Sequence, residues 1–440
     1  MRISDFMPGE DERRAFSHPP SVSNPKSEIR IPRWRALLAA LSLCLALSGC
    51  ARPRGGDKDI VVKPADDKVR VGAVMSLTGD TAQYGLSALN GARMAVEEAN
   101  AAGGVAGRRV ELIVQDTRSD AVETEVVVRR LSREYGVHAL VGEVVSSRSL
   151  AAARVAQSEG LPMLTPSATN PEVTSPGDFV FRSCYTDAFQ GAAIARFAAV
   201  SLGARRAGVL VASEQRYSQE LAAFIREAFV GLGGEVVAVQ EYREGASDFS
   251  AQIVELSASR PDVVFVPGYY LEAGLLARQA RELGLDAPFV GGDGWDSPRL
   301  YEIGGPALAG DFFSTHFSAE DPDPQVQRFV ADYRRLFGSA PDSFAATAYD
   351  AARIVLAAVE RAPTLERRAI RDALAATRDF PGVTGTVNFD ASRNAVKSVV
   401  VVRIGENGEQ SVESHVAPGD VSPAPTPAPT PTPQRRRKRR

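Results

Sequence analysis

Between residues 68 and 417 the chain alternates short, continuously apolar runs with longer stretches whose apolar residues recur at helical spacing. VRVGAVMSL at 69–77 reads as a strand, residues 84–101 as an amphipathic helix and VELIVQD at 110–116 as a second strand. A helix at 120–134, a strand at 139–142, a helix at 147–159 and a strand at 162–166 follow. Strands that are apolar on both faces belong in a parallel sheet covered by helices on either side. After a break at 167–188 the rhythm restarts. Helices are predicted at 188–202, 217–231, 248–258 and 271–283, interleaved with strands at 208–212, 235–242, 262–268 and 288–293. Two doubly wound α/β lobes are the economical reading. Helices at 324–337, 343–360 and 366–376, with strand-like pieces at 384–389 and 397–404, are then shared between them. No repeat period marks a solenoid.

The two ends break this pattern. Residues 34–50 form an apolar run preceded by Arg30, Arg33 and Arg35 and closed by Ser48, Gly49 and Cys50. The run is shorter than the roughly 20 residues of a membrane-spanning helix and reads as an export signal. Leu47-Ser48-Gly49-Cys50 resembles a bacterial lipobox, which makes Cys50 the expected lipidation site; an uncleaved signal anchor is the alternative. Residues 1–29 form a polar prelude that a start codon assigned too early would explain. Residues 51–67 read as a linker. Residues 418–440 are a Pro-rich spacer ending in six basic residues, either a solvated tail or a segment touching anionic lipid or cell wall.

Composition narrows the function. The 440 residues are 44% hydrophobic and 24% charged with only 3 Cys, which excludes a disordered chain and a disulfide scaffold. The whole chain carries a net charge of -3, but both ends are basic, so the middle is the more acidic part. A nucleic-acid partner needs the opposite sign and is not expected. Removal of Cys44 with the signal and lipidation of Cys50 leave Cys184 alone, without an intrachain disulfide. There is no phosphate-binding glycine loop, no HExxH, no Cys/His cluster and no nucleophile elbow. No cofactor or metal is expected, and binding rather than catalysis is the default.

Several segments carry a resemblance. They are VGAVMSLTGDTAQYG, NGARMAVEEANAAGGVAGRRVEL, LPMLTPSATNPEVT, FRSCYTDAFQGAAIA, DFSAQI, PDVVFVPGYYLEAGLLARQARELGL and FVGGDGW. In content and order, residues 69 to about 410 resemble the branched-chain amino-acid binding proteins of ABC transport, of the type I periplasmic binding-protein family. The resemblance implies two Rossmann-like lobes joined by three crossovers and closing on a ligand. The lobe boundaries expected are 68–188 and 318–381 for the first lobe, 189–317 and 382–417 for the second.

Ser146 stands where the strand at 139–142 gives way to a helix, and helix N-termini attract anions. The family holds a ligand carboxylate there, with help from the loop after the next strand, which implicates Ser146, Ser167 and Thr169; ordinary capping is the alternative for Ser146 and Thr169. For the ammonium the matching positions supply Asp187 and Asp293, against which stand an N-cap and a turn acid. Asp293 stands where branched-chain members often have Glu and the receptor branch has Asp. Tyr217 and Tyr269 match aromatics that cover the ligand, and Tyr84 matches one beside its side chain; Tyr270 is expected in the core. Arg148 is expected to face solvent, the alternative being the cleft. The chain departs from many members in lacking their disulfide, with Val145 before Ser146.

The resemblance therefore implies an extracytoplasmic, lipid-anchored receptor that passes an amino acid to an ABC permease and is not an enzyme. A sensor of amino acids, amides or small carboxylates without transport is the rival reading.

Overall fold

A computed structural model describes residues 68–421 of the chain. These lie within one compact unit, Ala65–Arg440. The expected signal, Cys50, the linker at 51–67 and most of the Pro-rich basic tail lie outside the described residues.

The first half opens with β1 (Lys68–Met75), α1 (Ala82–Ala101), β2 (Arg109–Asp116), α2 (Ala121–Arg133), β3 (Ala139–Gly142), α3 (Ser146–Ser158), β4 (Met163–Thr165) and β5 (Val180–Arg182). The chain then enters the second half through α4 (Asp187–Arg196), which runs into a π turn at Phe197–Ser201. There follow β6 (Arg206–Ala212), α5 (Arg216–Gly231), β7 (Glu235–Tyr242), α6 (Ser250–Ser259), β8 (Val263–Val266), α7 (Tyr270–Glu282), β9 (Phe289–Gly291), α8 (Pro298–Gly304) and β10 (Phe312–Thr315). It returns to pack α9 (Pro324–Phe337), α10 (Ser343–Arg361) and α11 (Arg367–Ala375) on the first half's side, α10 lying along α1. A small hairpin of β11 (Phe380–Gly382) and β12 (Gly385–Val387) precedes β13 (Val399–Ile404) and β14 (Gln410–Val416) in the second half. The chain thus passes between the two sheets three times.

The first sheet has the order β2-β1-β3-β4-β5 and is parallel throughout. The second repeats that order as β7-β6-β8-β9-β10 and adds β13 and β14 at its edge. Those two pair antiparallel, β13 on β10 and β14 on β13, beside the five parallel strands. Strands β5, β10 and β14 were not predicted. In each sheet the order reverses beside the first strand, and a doubly wound sheet opens its binding crevice there, outside the carboxyl ends of the strands.

Side chains explain the layers. Along β1, Val69, Val71 and Ala73 face one core while Val74 faces another, the two-residue alternation of a strand covered on both sides. Helices α2 and α3 close one face through Val127, Leu131 and Ala152. Gly91 of α1 lets the α10 backbone approach so closely that a Cβ there would lie 2.0 Å from the Ala345 carbonyl oxygen. Cys184 is buried and free, its thiol pushed up to about 12 by burial, so it stays protonated. Among the described residues no helix is long and apolar enough to cross a membrane.

Candidate functional site

The first wall forms beyond the end of β3. The N-cap of α3 is Val145, whose apolar side chain cannot accept a hydrogen bond, so the amides of the first turn lack a side-chain cap. Ser146 is the first helical residue rather than the cap; its hydroxyl accepts from the Asn170 N–H at 3.4 Å. Ser167 donates its hydroxyl to the Val144 carbonyl at 2.9 Å, which ties the loop after β4 to the turn before α3. The buried Arg182 guanidinium draws the carbonyls of this loop toward itself, donating to Ala168 at 2.9 Å, Asn170 at 2.5 Å and Pro171 at 3.3 Å. Below the turn, the fully buried Glu143 carboxylate accepts from the Val145 N–H at 2.8 Å and from the Ser76 and Thr117 hydroxyls.

Asp293 anchors the opposite wall, at the start of a 3-10 turn (Asp293–Trp295) that follows β9. One carboxylate oxygen accepts from Gln190 Nε2 at 2.6 Å and the Tyr217 hydroxyl at 2.8 Å; the other faces His316 Nε2 at 3.2 Å. Burial lowers the pKa of His316, with Asp293 acting in the opposite sense. Tyr217 and Tyr269 stack with ring centroids 5.2 Å apart. The glycines beside Asp293 permit this crowding. A Cβ on Gly292 would lie 2.2 Å from the Tyr217 hydroxyl, and one on Gly294 would lie 2.6 Å from the Gly268 carbonyl oxygen.

The two walls meet around one small cavity, in which about 10 Å³ is open to water-sized molecules. Tyr84, Ser146, Ser167, Thr169, Tyr217, Tyr269 and Asp293 all line it, with Val144, Val145, Gly294 and Phe344. Hydroxyls and helix amides thus face a carboxylate and two tyrosines across a small space. Tyr270, expected in the core, is buried beside it.

Asp187 is the exception among the candidates, since it does not line the cavity. Its N–H donates to the Thr169 carbonyl at 2.9 Å, which places it directly behind that residue. It does not cap α4: the cap is Thr186, whose hydroxyl accepts from the Phe189 N–H at 3.4 Å. Neither Asp187 carboxylate oxygen reaches a donor at hydrogen-bonding geometry among the described residues, although the residue is fully buried. Burial pushes its pKa well above the usual carboxylate range, the nearby Thr169 hydroxyl opposing.

Arg148 corrects the expectation of a solvent-facing side chain. It is buried, donating to the Thr81 hydroxyl at 2.6 Å and the Ser119 carbonyl at 3.1 Å, with Glu143 3.9 Å from its Nε. The buried Glu143 supplies the countercharge that holds a guanidinium inside. Gln190, His316, Phe344 and Arg182 were not singled out from the sequence. Gln190 stands one helical turn after Asp187, a usable signal, whereas His316 reads as an isolated histidine until β10 carries it to Asp293.

The family described as periplasmic binding protein matches the chain over residues 68–409. Among curated relatives, the leucine-, isoleucine-, valine-, threonine- and alanine-binding protein of Pseudomonas aeruginosa is 32% identical over 327 residues, which is 74% of this chain and 87% of that protein. The structure of the leucine-binding protein LivK of Thermotoga maritima has a TM-score of 0.76 at 39% identity, covering 80% of this chain and 100% of that one. LivJ of Streptococcus pneumoniae, a branched-chain amino-acid transporter substrate-binding protein solved with isoleucine, has a TM-score of 0.75 at 32% identity, covering 79% and 99%.

Proposed function

Since this chain belongs to the periplasmic binding protein family, we propose that it binds an aliphatic α-amino acid between its halves and delivers it to an ABC permease. A lipid on Cys50 tethers it to the outer side of a bacterial membrane. One observation carries the binding reading: an uncapped helix end with serine and threonine hydroxyls faces a carboxylate across a single small cavity. The partial positive charge of the α3 N-terminus suits the ligand carboxylate, with Ser146, Ser167 and Thr169 around it. Asp293 accepts from the ammonium. Tyr84, Tyr269, Phe344 and Val144 leave an apolar wall for an aliphatic side chain.

A ligand held by both walls at once stabilises the closed arrangement, because only that arrangement presents both half-sites. The permease then reads the closed shape. Similarity to the Pseudomonas and Streptococcus binding proteins supports an amino acid of the leucine and isoleucine type. Calorimetry with a panel of amino acids, their amides and small carboxylates tests the reading. Saturable binding of leucine or a close analogue is expected, and binding that survives Ser146→Ala and Asp293→Ala unchanged overturns the site. Uptake of the bound amino acid that is unaffected by deleting the gene overturns delivery. Retention of a Cys50→Ser variant in the membrane fraction overturns the anchor.

A further inference from the structure

His316 lies between two spaces. Its Nε2 meets Asp293 of the cleft, while the residue lines a second cavity of about 690 Å³ open to water-sized molecules. That volume is in the range that takes small organic molecules. The walls come from the passage leaving β10, the β11–β12 hairpin, the passage into β13, and β14.

The buried cationic side chain in its lining is Lys397. Lys397 is only 5% exposed, and its Nζ donates to the Thr384 hydroxyl. Among the described residues no carboxylate lies within ion-pair distance of it. Burial lowers the Lys397 pKa, with Asp350 opposing at longer range, but the Asp350 oxygens already accept from the Val383 N–H at 2.9 Å and from the N–H and hydroxyl of Thr384 at 2.9 and 2.6 Å. An ammonium carries three donors, and a buried charge short of partners is costly. Nearby, the buried His316 Nδ1 makes no hydrogen bond among the described residues. Phe317, Val383 and Val400 supply apolar surface, and two further lining carboxylates, the exposed Glu320 and the half-buried Asp321, disfavour a ligand with a second negative charge.

We propose that this cavity is a second ligand site, taking a small organic monocarboxylate whose carboxylate pairs with the Lys397 ammonium and whose body packs on Phe317, Val383 and Val400. The site is independent of what the cleft binds.

Butyrate is the probe, followed on the full chain by saturation-transfer NMR and calorimetry. Saturable binding is expected, weakened about tenfold or more by Lys397→Met, the loss that a charge-assisted hydrogen bond implies. Ser398→Trp, a substitution at an exposed lining residue, is expected to abolish it by filling the cavity. Ser146→Ala is expected to leave it unchanged, which separates this site from the cleft. Absence of saturable binding overturns the proposal, as does binding lost in Ser146→Ala yet intact in Ser398→Trp. Should Lys397→Met fail to fold, the Ser398→Trp comparison decides alone.

Discussion

The Tyr84 hydroxyl donates to the Gly294 carbonyl, joining residues 210 positions apart. The same oxygen accepts from the Tyr270 N–H at 3.2 Å, while the ring stacks on Phe344 with centroids 4.3 Å apart. The ring thus stacks within the first half and meets Tyr269 and Tyr270 of the second edge-on, with centroids 5.7 and 5.2 Å away, while its hydroxyl bonds only to the second. Tyr84→Phe removes the hydroxyl and leaves the stacking. A net contribution of about 0.5–1.5 kcal/mol per hydrogen bond predicts a roughly 2- to 12-fold loss of amino-acid affinity. Small-angle scattering is expected to show a more open average shape, with the urea midpoint little changed. Unaltered affinity and shape would count against a closing role for Tyr84.

Asp293→Asn keeps the volume and removes the charge. Its loss of a charge-assisted hydrogen bond, about 1.5–3 kcal/mol, predicts a roughly 10- to 150-fold weaker affinity for leucine or its analogue. Calorimetry gives the ratio directly. Equal affinity in the variant would remove Asp293 from the ammonium site.

Asp187 makes stability depend on pH. Its pKa is raised in the folded state by burial, so folding takes up a proton once the pH exceeds the unfolded value near 3.8. The stabilising contribution of the neutral acid is therefore complete below that pH and is lost as pH rises through the folded-state pKa. Asp187→Asn is expected to remove this part of the slope, at most about 1.4 kcal/mol per pH unit. Urea denaturation across a pH series measures it, and identical slopes for both proteins would refute the assignment. A bound ammonium favours the ionised carboxylate, so wild-type amino-acid affinity is expected to rise with pH over the same interval.

Gly292→Ala is expected to damage the site through shape alone. The added Cβ would lie 2.2 Å from the Tyr217 hydroxyl and 2.8 Å from Leu221 Cδ2, displacing the ring from Asp293. Overpacking of this kind costs about 1–3 kcal/mol. The urea midpoint and the calorimetric affinity should fall together; a fully stable variant with normal affinity would contradict the tight contact.

Arg182→Lys tests the loop that faces the α3 N-terminus. Arginine serves three loop carbonyls with one planar fork and bonds Asn394 Oδ1 through Nε at 2.9 Å. Lysine keeps the charge and loses that geometry. Faster amide exchange at 167–171 and weaker amino-acid binding are expected; unchanged exchange would show that the loop holds itself.

The alternating pattern located most elements to within a residue or two. β7 and α9 fall at their predicted limits, because an eight-residue strand beside a helix and a strongly amphipathic helix each carry a clear period. β5 is three residues long and lay in a segment read as a break, too short for any period to show. β14 is largely exposed, so burial left little apolar signature in it. Its antiparallel pairing with β13, and that of β13 with β10, was equally illegible, since strand direction follows from how the chain returns from α11.

The periodicity of each element, the α/β class, the repeated strand and helix rhythm and the family resemblance can all be read from residue order, since each shows in short segments of neighbouring positions. Seven of the eight binding candidates also proved to surround one cavity, because each sits at or just beyond the end of a strand or at the start of a helix. Which buried polar groups meet was fixed by the packing of the folded chain. It set Gln190 and His316 on Asp293, turned Arg148 inward to Glu143, and left the Asp187 carboxylate without a donor among the described residues. Such pairings join residues tens to hundreds of positions apart, and the way the two sheets and their crossovers pack determines them.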